Sequence, residues 1–288
     1  MSFDLGGSVR GVGTKHGHAA GKMAAMLKNP DVEVAGVFEP DAKQRAKVMG
    51  SPSYLDVHWY DTVQELLADD SIVMVAAESY NLENLNDCSD IIAAGKHCWF
   101  DKPAGDDWEQ YQATVALAQE KGLHIQMGYM LRYNSSWLQV ANWARHGFLG
   151  QIVKVRANMS TSIPDFQTYL NGWPNAIYPH KGGIGYDLAS HCLDSVLWLM
   201  GDRRPERVTG FLRSTVEENY DDNTVGLFEY EDGAMAIIDI SARVVGSTRR
   251  LEVYGTKGTA IIVSITAGKI VLSCTVNHRA PLALVRHA

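Results

Sequence analysis

The first 128 residues alternate between short apolar runs and longer helical patterns, and this alternation constrains the fold more than any other feature. The apolar runs have the length of β-strands and lie at 8–12, 32–39, 71–77, 97–100 and 123–128. Between them, apolar residues recur with helical spacing. A chain in which strands alternate with helices forms a doubly wound parallel sheet. The sequence therefore predicts an α/β domain of the Rossmann type over residues 1–128.

Each predicted strand is followed by polar residues at its carboxyl end. Glu39, Glu78 and the pair Asp101–Lys102 follow three of the strands. In an open parallel sheet, ligands bind in the crevice outside the carboxyl ends of the strands. We therefore expect these side chains to share one site.

A glycine-containing loop, GVGTKHGH, follows the first strand and precedes a helical pattern. Glu39 comes about 26 residues after Gly13, at the end of the second strand. This order is that of a dinucleotide-binding unit, in which glycine lets the backbone approach the diphosphate. An acid in this place binds the adenosine ribose and disfavours a 2′-phosphate, so we predict NAD, with NADP less favoured. The expected cofactor contacts are Gly13, Thr14, Lys15, His16, Glu39, Ala77, Glu78, Asp101, Lys102 and Arg132.

The glycine motif of this loop is incomplete, because Lys15 and His16 stand where a further glycine is expected. His16 and His18 form an HxH pair. No third ligand lies near them in the sequence, so we predict no metal site.

Lys102 lies in the segment GKHCWFDKPAG, which predicts a helix end, a short buried strand and a turn. Pro103 favours extended backbone at the residue before it, so Lys102 is presented at the end of the strand. A lysine there can donate a hydrogen bond, supply a fixed positive charge or ease removal of a substrate proton. The alternative is a solvated surface lysine before a turn.

Beyond about residue 150, apolar residues alternate with polar ones at a period of two, which predicts an antiparallel sheet. We assign residues 129–288 to a second, α+β domain for substrate binding and oligomerisation. The predicted strands lie at 150–162, 207–216, 224–230, 234–242, 249–254, 259–265 and 269–274.

One helix is predicted within this second part, at 183–201. It places Asp187, His191 and Asp194 at i, i+4 and i+7, which is one face. An acid four residues before a histidine orients the imidazole and favours its protonated form. The alternative is a histidine that is simply satisfied within the helix.

Composition excludes several classes of function. The chain has 288 residues and a net charge of −7, without a basic cluster, which argues against nucleic acid or an anionic membrane as partner. No apolar run has the length of a membrane span. Four scattered cysteines indicate reduced thiols, and we expect a cytoplasmic protein.

Taken together, these motifs resemble the glucose–fructose oxidoreductase / inositol dehydrogenase (Gfo/Idh/MocA) family of oxidoreductases. The resemblance covers roughly residues 9–262 and rests on the Gly13 loop, VFEPD, SIVMVAAES, AAGKHCWFDKPAG, GYMLRYN, GFLGQIVKVRA, GGIGYDLASHCLDSVLWLMG and LEVYGTKGTA. It implies a Rossmann domain that binds NAD(P) and a mostly antiparallel domain that covers the nicotinamide. It also implies a homodimer or homotetramer.

The resemblance further implies roles for individual residues. His191 accepts the proton of a substrate hydroxyl while hydride passes to nicotinamide, and Lys102 favours the alkoxide. Asp187 binds or orients the substrate and supports the charge on His191. The implied substrate is a sugar, polyol or cyclitol. Asp101 stands where the family has glutamate, and Arg132, Tyr133 and Asn134 line the rim. The expected substrate contacts are Lys102, Tyr133, Tyr178, Asp187 and His191.

The chain departs from the family pattern in the glycine loop and in lacking a histidine after the third strand, where Leu82 or Asn84 stands. The segment after residue 260 is also shorter than expected. Two alternatives therefore remain: an NAD-assisted sugar lyase, hydrolase or epimerase, and a non-catalytic NAD-binding or regulatory protein. The aromatic residues Phe166, Tyr169, Trp173 and Tyr178 suit either sugar stacking or packing of a lid or interface.

Overall fold

The first of two units, Met1–Gly128, is built on a parallel sheet of five strands in the order β2-β1-β3-β4-β5. In this computed structural model the residues described are 8–163, 183–215, 221–264, 269–274 and 283–286. The predicted parallel sheet is confirmed, and its strand order reverses between β1 and β3. The strands are β1 (Ser8–Val12), β2 (Glu33–Phe38), β3 (Ile72–Ala77), β4 (His97–Phe100) and β5 (Ile125–Met127).

Helices cover both faces of this sheet because alternate residues of each strand point to opposite sides. Val75 and Ala77 of β3 join a core with Ile91 and Ile92, whereas Ala76 joins a second core with Met23. The helices are α1 (Ala19–Lys28), α2 (Ala42–Val48), α3 (Val63–Ala68), α4 (Asn81–Ala93) and α5 (Trp108–Glu120).

The second unit, Tyr129–Ala288, contains an eight-stranded sheet in the order β13-β12-β11-β10-β6-β9-β8-β7. Its strands are β6 (Ile152–Asn158), β7 (Pro205–Arg213), β8 (Asn223–Tyr230), β9 (Met235–Ser241), β10 (Arg250–Gly255), β11 (Gly258–Ser264), β12 (Lys269–Cys274) and β13 (Ala283–Arg286). Its helices are a 3₁₀ turn (Met130–Tyr133), α6 (Ser135–Arg145), α7 (Ile184–Asp187) and α8 (Ala189–Met200).

This sheet is antiparallel as predicted, except where β6 runs parallel to β9. The alternation of side chains has the same period in both kinds of strand, so the sequence pattern did not distinguish them. One face of the sheet packs on α6 and α8, with Val155 and Ala157 in the same core as Val196 and Leu199.

The predicted single helix over 183–201 is wrong in one respect, because the chain forms two helices, α7 and α8, that meet at Leu188. The Asp221 carboxylate accepts hydrogen bonds from the backbone N–H groups of Gly183 (3.0 Å) and Gly185 (2.7 Å). Asp221, which is distant in the sequence, thus anchors the start of α7. No described helix is both long and apolar enough to cross a membrane.

Candidate functional site

Gly13 forms the turn between β1 and α1, with a φ of +76°. A side chain there would be strained by the backbone conformation, and its Cβ would lie 2.6 Å from the backbone nitrogen of Ser79. The loop therefore lies directly against the chain that leaves β3. Glycine at this position is therefore required by the packing of the loop itself, and the approach of a diphosphate stays a prediction.

Glu39 at the end of β2 fixes this loop. One of its carboxylate oxygens accepts hydrogen bonds from the Thr14 backbone N–H at 2.7 Å and from the Thr14 hydroxyl at 2.8 Å. The other accepts from the Asp41 N–H at 2.9 Å. Each carboxylate oxygen has two lone pairs, so the predicted bond to a ribose hydroxyl is compatible with these contacts and stays a prediction.

Lys15, which stands in place of a glycine, supplies positive charge to the loop. Its Nζ lies 3.4 Å from the Glu83 carboxylate and 5.1 Å from the centre of the Tyr80 ring. Within the described residues, the His18 side chain does not cap the amino end of α1. An uncapped helix start beside a lysine attracts an anion, so these residues fit a diphosphate group.

A charged cluster lies at the carboxyl ends of β1, β3 and β4, and it is formed by the exposed His18 and the buried His16, Lys22, Glu78 and Asp101. The Lys22 ammonium bonds to the Glu78 carboxylate and lies 3.1 Å from Asp101 Oδ2. His18 Nδ1 is 2.9 Å from the same oxygen, and His16 Nδ1 is 3.6 Å from both carboxylates. The sequence analysis did not identify Lys22 as a member of this site. Its position on the buried face of α1, beside Ala19 and Met26, is the sequence feature that could have identified it.

Burial decides the direction in which the pKa values of Glu78 and His16 shift. It raises the pKa of Glu78 to about 7 against the opposing charge of Lys22, and it lowers the pKa of His16 to about 4. For Asp101, burial acts upward, but the hydrogen bond from His18 and the charge of Lys22 hold its pKa below the ordinary value. The Glu78 carboxyl therefore changes charge near neutral pH.

The ligand atoms of His16, His18 and Asp101 lie within 4.8 Å of one another, so the structure provides the third ligand that the sequence lacked. The Lys22 ammonium already neutralises the Asp101 carboxylate. A metal ion would have to bind against that positive charge. The absence of a metal site stays a prediction.

Lys102 is 4% exposed, which excludes the solvated surface lysine. Its backbone N–H donates to Asp101 Oδ1 at 2.8 Å. The Asp101 carboxylate in turn lies against Gly128, where an added Cβ would come within 3.0 Å of it. Asp101 thus holds the end of β4 in place. The buried Ala77, at the end of β3, pairs with Phe100, the residue that precedes Asp101.

In the second unit, Asp187 and His191 are both buried around the junction of α7 and α8. The His191 ring lies edge-to-face with the Tyr129 ring, with centroids 5.9 Å apart. These two residues belong to the second unit and Lys102 to the first. Their predicted joint action stays a prediction.

Arg132 has a contact that the sequence did not reveal. Its guanidinium binds the Asp194 carboxylate through Nε at 2.9 Å and a terminal nitrogen at 2.6 Å. This ion pair connects the 3₁₀ turn to α8, so the Asp194 carboxylate is bonded to Arg132.

The other two residues predicted at the rim have different places. Tyr133 is exposed, and Asn134 caps α6 by accepting a hydrogen bond from the Ser136 N–H at 3.0 Å. The predicted aromatic contacts, Phe166, Tyr169, Trp173 and Tyr178, lie outside the described residues.

Comparison with known proteins agrees with this arrangement. Residues 9–129 match the oxidoreductase family with an NAD-binding Rossmann fold, and residues 137–261 match the GFO/IDH/MocA C-terminal domain. The chain belongs to the Gfo/Idh/MocA family of oxidoreductases. The predicted family is therefore confirmed, and so is its NAD-binding Rossmann fold.

Individual relatives of this Gfo/Idh/MocA chain are distant. It is 26% identical to the uncharacterised oxidoreductase YhhX of Escherichia coli (strain K12) over 228 residues, 79% of this chain and 63% of YhhX. It is 22% identical to 1,5-anhydro-D-fructose reductase of Ensifer adhaerens, over 75% of this chain and 65% of that protein. The chain thus spans under two thirds of the length of these relatives.

Among solved structures, GenD2 from gentamicin A biosynthesis, in complex with NAD, is similar with a TM-score of 0.76 and 24% identity. The match covers 89% of this chain and 72% of GenD2. At this level of identity the similarity shows the fold alone.

Proposed function

We propose that this chain is an NAD-dependent dehydrogenase that acts on a hydroxyl carbon of a sugar, polyol or cyclitol. The observation that carries the proposal is the buried Lys102, held by Asp101 at the carboxyl edge of the Rossmann sheet. That edge is where ligands bind in this class of fold. A named relative, 1,5-anhydro-D-fructose reductase, acts on a sugar-related compound.

The loop residues support the choice of cofactor. Gly13 and Lys15 would hold the diphosphate, and Glu39 would hold the adenosine ribose. A carboxylate at this position disfavours NADP because its 2′-phosphate would meet a like charge. When bound, NAD supplies the hydride acceptor of the reaction.

The chain's own residues would handle the proton. Lys102 donates a hydrogen bond to the substrate hydroxyl and stabilises negative charge on its oxygen. His191 accepts the hydroxyl proton, and Asp187 stabilises the imidazolium that results. Burial of all three side chains strengthens these interactions, because screening by water is weak there.

The proposal is tested by following reduced-nicotinamide absorbance with NAD and a panel of sugars, polyols and cyclitols. Reduction with one compound is expected. Turnover should fall by about 10² to 10⁴ in Lys102→Ala and His191→Ala while NAD affinity is retained. Lys47→Ala and His146→Ala are the matched controls, because they remove an exposed lysine and an exposed histidine. Both variants should keep full turnover. Saturable NAD binding with no turnover on any compound would indicate the non-catalytic alternative.

Assembly into a homodimer or homotetramer is part of the proposal. The face of the eight-stranded sheet that α6 and α8 leave uncovered carries exposed apolar side chains, including Phe211, Val225 and Met235. Phe211 and Val225 are paired across β7 and β8. An apolar patch of this kind is typical of a protein interface.

A further inference from the structure

A cavity of about 620 Å³ lies on the face of the second sheet that α6 and α8 leave uncovered. Side chains of β6, β9 and β10 line it, together with Val244 and Thr248 from the segment between β9 and β10. The described residues that line it all belong to the second unit. None of them is proposed to bind the cofactor or the substrate, so the proposed reaction gives this cavity no role.

Two arginines of the cavity, Arg156 and Arg250, lie diagonally across neighbouring strands. Arg156 of β6 pairs with Glu252 of β10, and Asn158 pairs with Arg250, so the four side chains point to the same face. Diagonal neighbours on one face of an antiparallel pair are about 7–8 Å apart, which long side chains can span. Both guanidinium groups can therefore contact one small ligand.

Each guanidinium group is oriented by a carboxylate. Arg156 Nε donates to Asp239 Oδ2 at 3.0 Å, and Arg250 Nε donates to Glu252 Oε1 at 2.5 Å. Within the described part of the chain, the terminal nitrogens of both groups make no hydrogen bond. The two arginine side chains are 51% and 47% exposed, so a ligand in the cavity can reach these nitrogens.

Glu252 is the fixed point of this arrangement. It is buried, and its carboxylate also accepts a hydrogen bond from the Tyr254 hydroxyl. Burial acts to raise the pKa of Glu252, but the hydrogen bonds from Tyr254 and Arg250 hold it below its ordinary value. The carboxylate is therefore charged at neutral pH and keeps Arg250 oriented before any ligand binds. Such preorganisation lowers the entropic cost of binding.

The unused nitrogens select the chemistry of the ligand. A guanidinium group is a donor only, and its planar fork matches the oxygens of a carboxylate or a phosphate. Since Asp239 and Glu252 already balance the two arginines, affinity must come from directed hydrogen bonds rather than from net charge. The hydroxyl groups of Ser241 and Thr248 add further polar contacts.

We propose that Arg156 and Arg250 form a binding site for a small dianion, either a phosphate or a dicarboxylate, separate from the site proposed for NAD and substrate. The shared chemistry is a pair of negative oxygens for each guanidinium fork. This inference goes beyond the proposed dehydrogenase reaction and does not depend on it.

The test is calorimetric titration of the whole chain with inorganic phosphate and, separately, with succinate, both without nucleotide. We expect saturable binding of one of these probes. Its affinity should fall by about tenfold in Arg156→Gln and in Arg250→Gln, because each variant removes a charge-assisted pair of hydrogen bonds. Arg250→Lys, which keeps a positive charge beside Glu252 but lacks the planar fork, should lose affinity as well.

Two further variants are controls for this test. Arg207→Gln removes an arginine of the same sheet that pairs with Glu229 outside the cavity, and it should keep the affinity of the wild type. Phe211→Glu, which changes the exposed apolar patch, should also keep it, because the described residues that line the cavity come from one chain.

Four results would overturn the inference. Binding of neither probe would show that the cavity is not a dianion site. Binding that the Arg156 and Arg250 variants leave unchanged would place the anion elsewhere, for example at the Gly13 loop. An equal loss in Arg207→Gln would indicate diffuse attraction to arginines, and a loss in Phe211→Glu would mean that the site needs a second subunit.

Discussion

Asp101 connects the charged cluster to the lysine proposed for catalysis. Its carboxylate accepts from the Lys102 backbone and neutralises Lys22, while it packs against Gly128. Because the group is buried, removal of its charge leaves the positive charge of Lys22 less compensated. Residues at this edge are therefore fixed by a network whose members come from the ends of β4 and β5 and from α1.

We predict that Asp101→Asn lowers the free energy of unfolding by about 3 kcal/mol, because asparagine keeps an acceptor for Lys102 but loses the charge that balances Lys22. Denaturant unfolding at neutral pH measures this. Asp70→Asn, the same change at an exposed residue, should cost less than about 0.5 kcal/mol. Equal effects of the two substitutions would contradict the role given to Asp101.

His16 and Glu78 are predicted to oppose each other in the pH dependence of stability. His16 has its pKa lowered from 6.5 to about 4, so its contribution to stability rises as pH goes from 4 to 6.5. Glu78 has its pKa raised from 4.5 to about 7, so stability is lost as pH rises through that window. Each change amounts to about 3 kcal/mol, and the two nearly offset in the wild type.

Replacing one of the two groups should reveal the pH dependence of stability that the other contributes. In Glu78→Gln, stability should increase between pH 4 and 6.5, and in His16→Gln it should decrease between pH 4.5 and 7. Unfolding midpoints across that pH range give the measurement. Variants whose pH profiles run parallel to that of the wild type would show that these groups do not titrate as described.

At the scale of elements, α7 depends on a residue far away in the sequence. Asp221 accepts from the backbone of Gly183 and Gly185, and it also accepts from the Thr224 hydroxyl at 2.5 Å. We predict that Asp221→Ala lowers the free energy of unfolding by about 2–4 kcal/mol, because three donors, two of them buried, lose their acceptor. Denaturant unfolding tests this, with Glu231→Ala in an exposed turn as control. A loss equal to that of the control would mean that α7 does not need Asp221.

Elements whose pattern is local could be predicted from the sequence, and those set by distant contacts could not. Strand β4 was predicted with its observed bounds, because HCWF is a short apolar run after a glycine. The hydrogen bonds at the start of α7 come from the distant Asp221, and the parallel pairing of β6 with β9 depends on the path of the chain between them. Neither leaves a mark in the local spacing of apolar residues.

The candidate site was predictable to a similar degree. The Lys102 position follows from a strand end and Pro103, both of which are local features. The partners of the site residues were not predictable, since Thr14 for Glu39 and Asp194 for Arg132 come from separate segments of the chain. Sequence reasoning therefore located charged groups correctly at the sheet edge but not their hydrogen bonds.

At the scale of the whole molecule, the uncovered face of the second sheet should determine assembly. Phe211, at 58% exposure, lies in this face, and we predict that wild-type protein sediments as a dimer or tetramer. Phe211→Glu should shift it toward monomer, because a charge cannot be buried in an apolar interface without cost. Leu55→Glu, an equally drastic change at an exposed leucine of the first unit, should leave assembly intact. A monomeric wild type would contradict the prediction.

Calorimetric titration of the chain with NAD, and separately with NADP, tests the central claim most directly. We predict saturable binding of NAD, with NADP weaker by about tenfold or more, because the Glu39 carboxylate repels a 2′-phosphate. That result would support the cofactor on which the proposed dehydrogenase depends. Binding of neither nucleotide would contradict the account, and a preference for NADP would contradict the role assigned to Glu39.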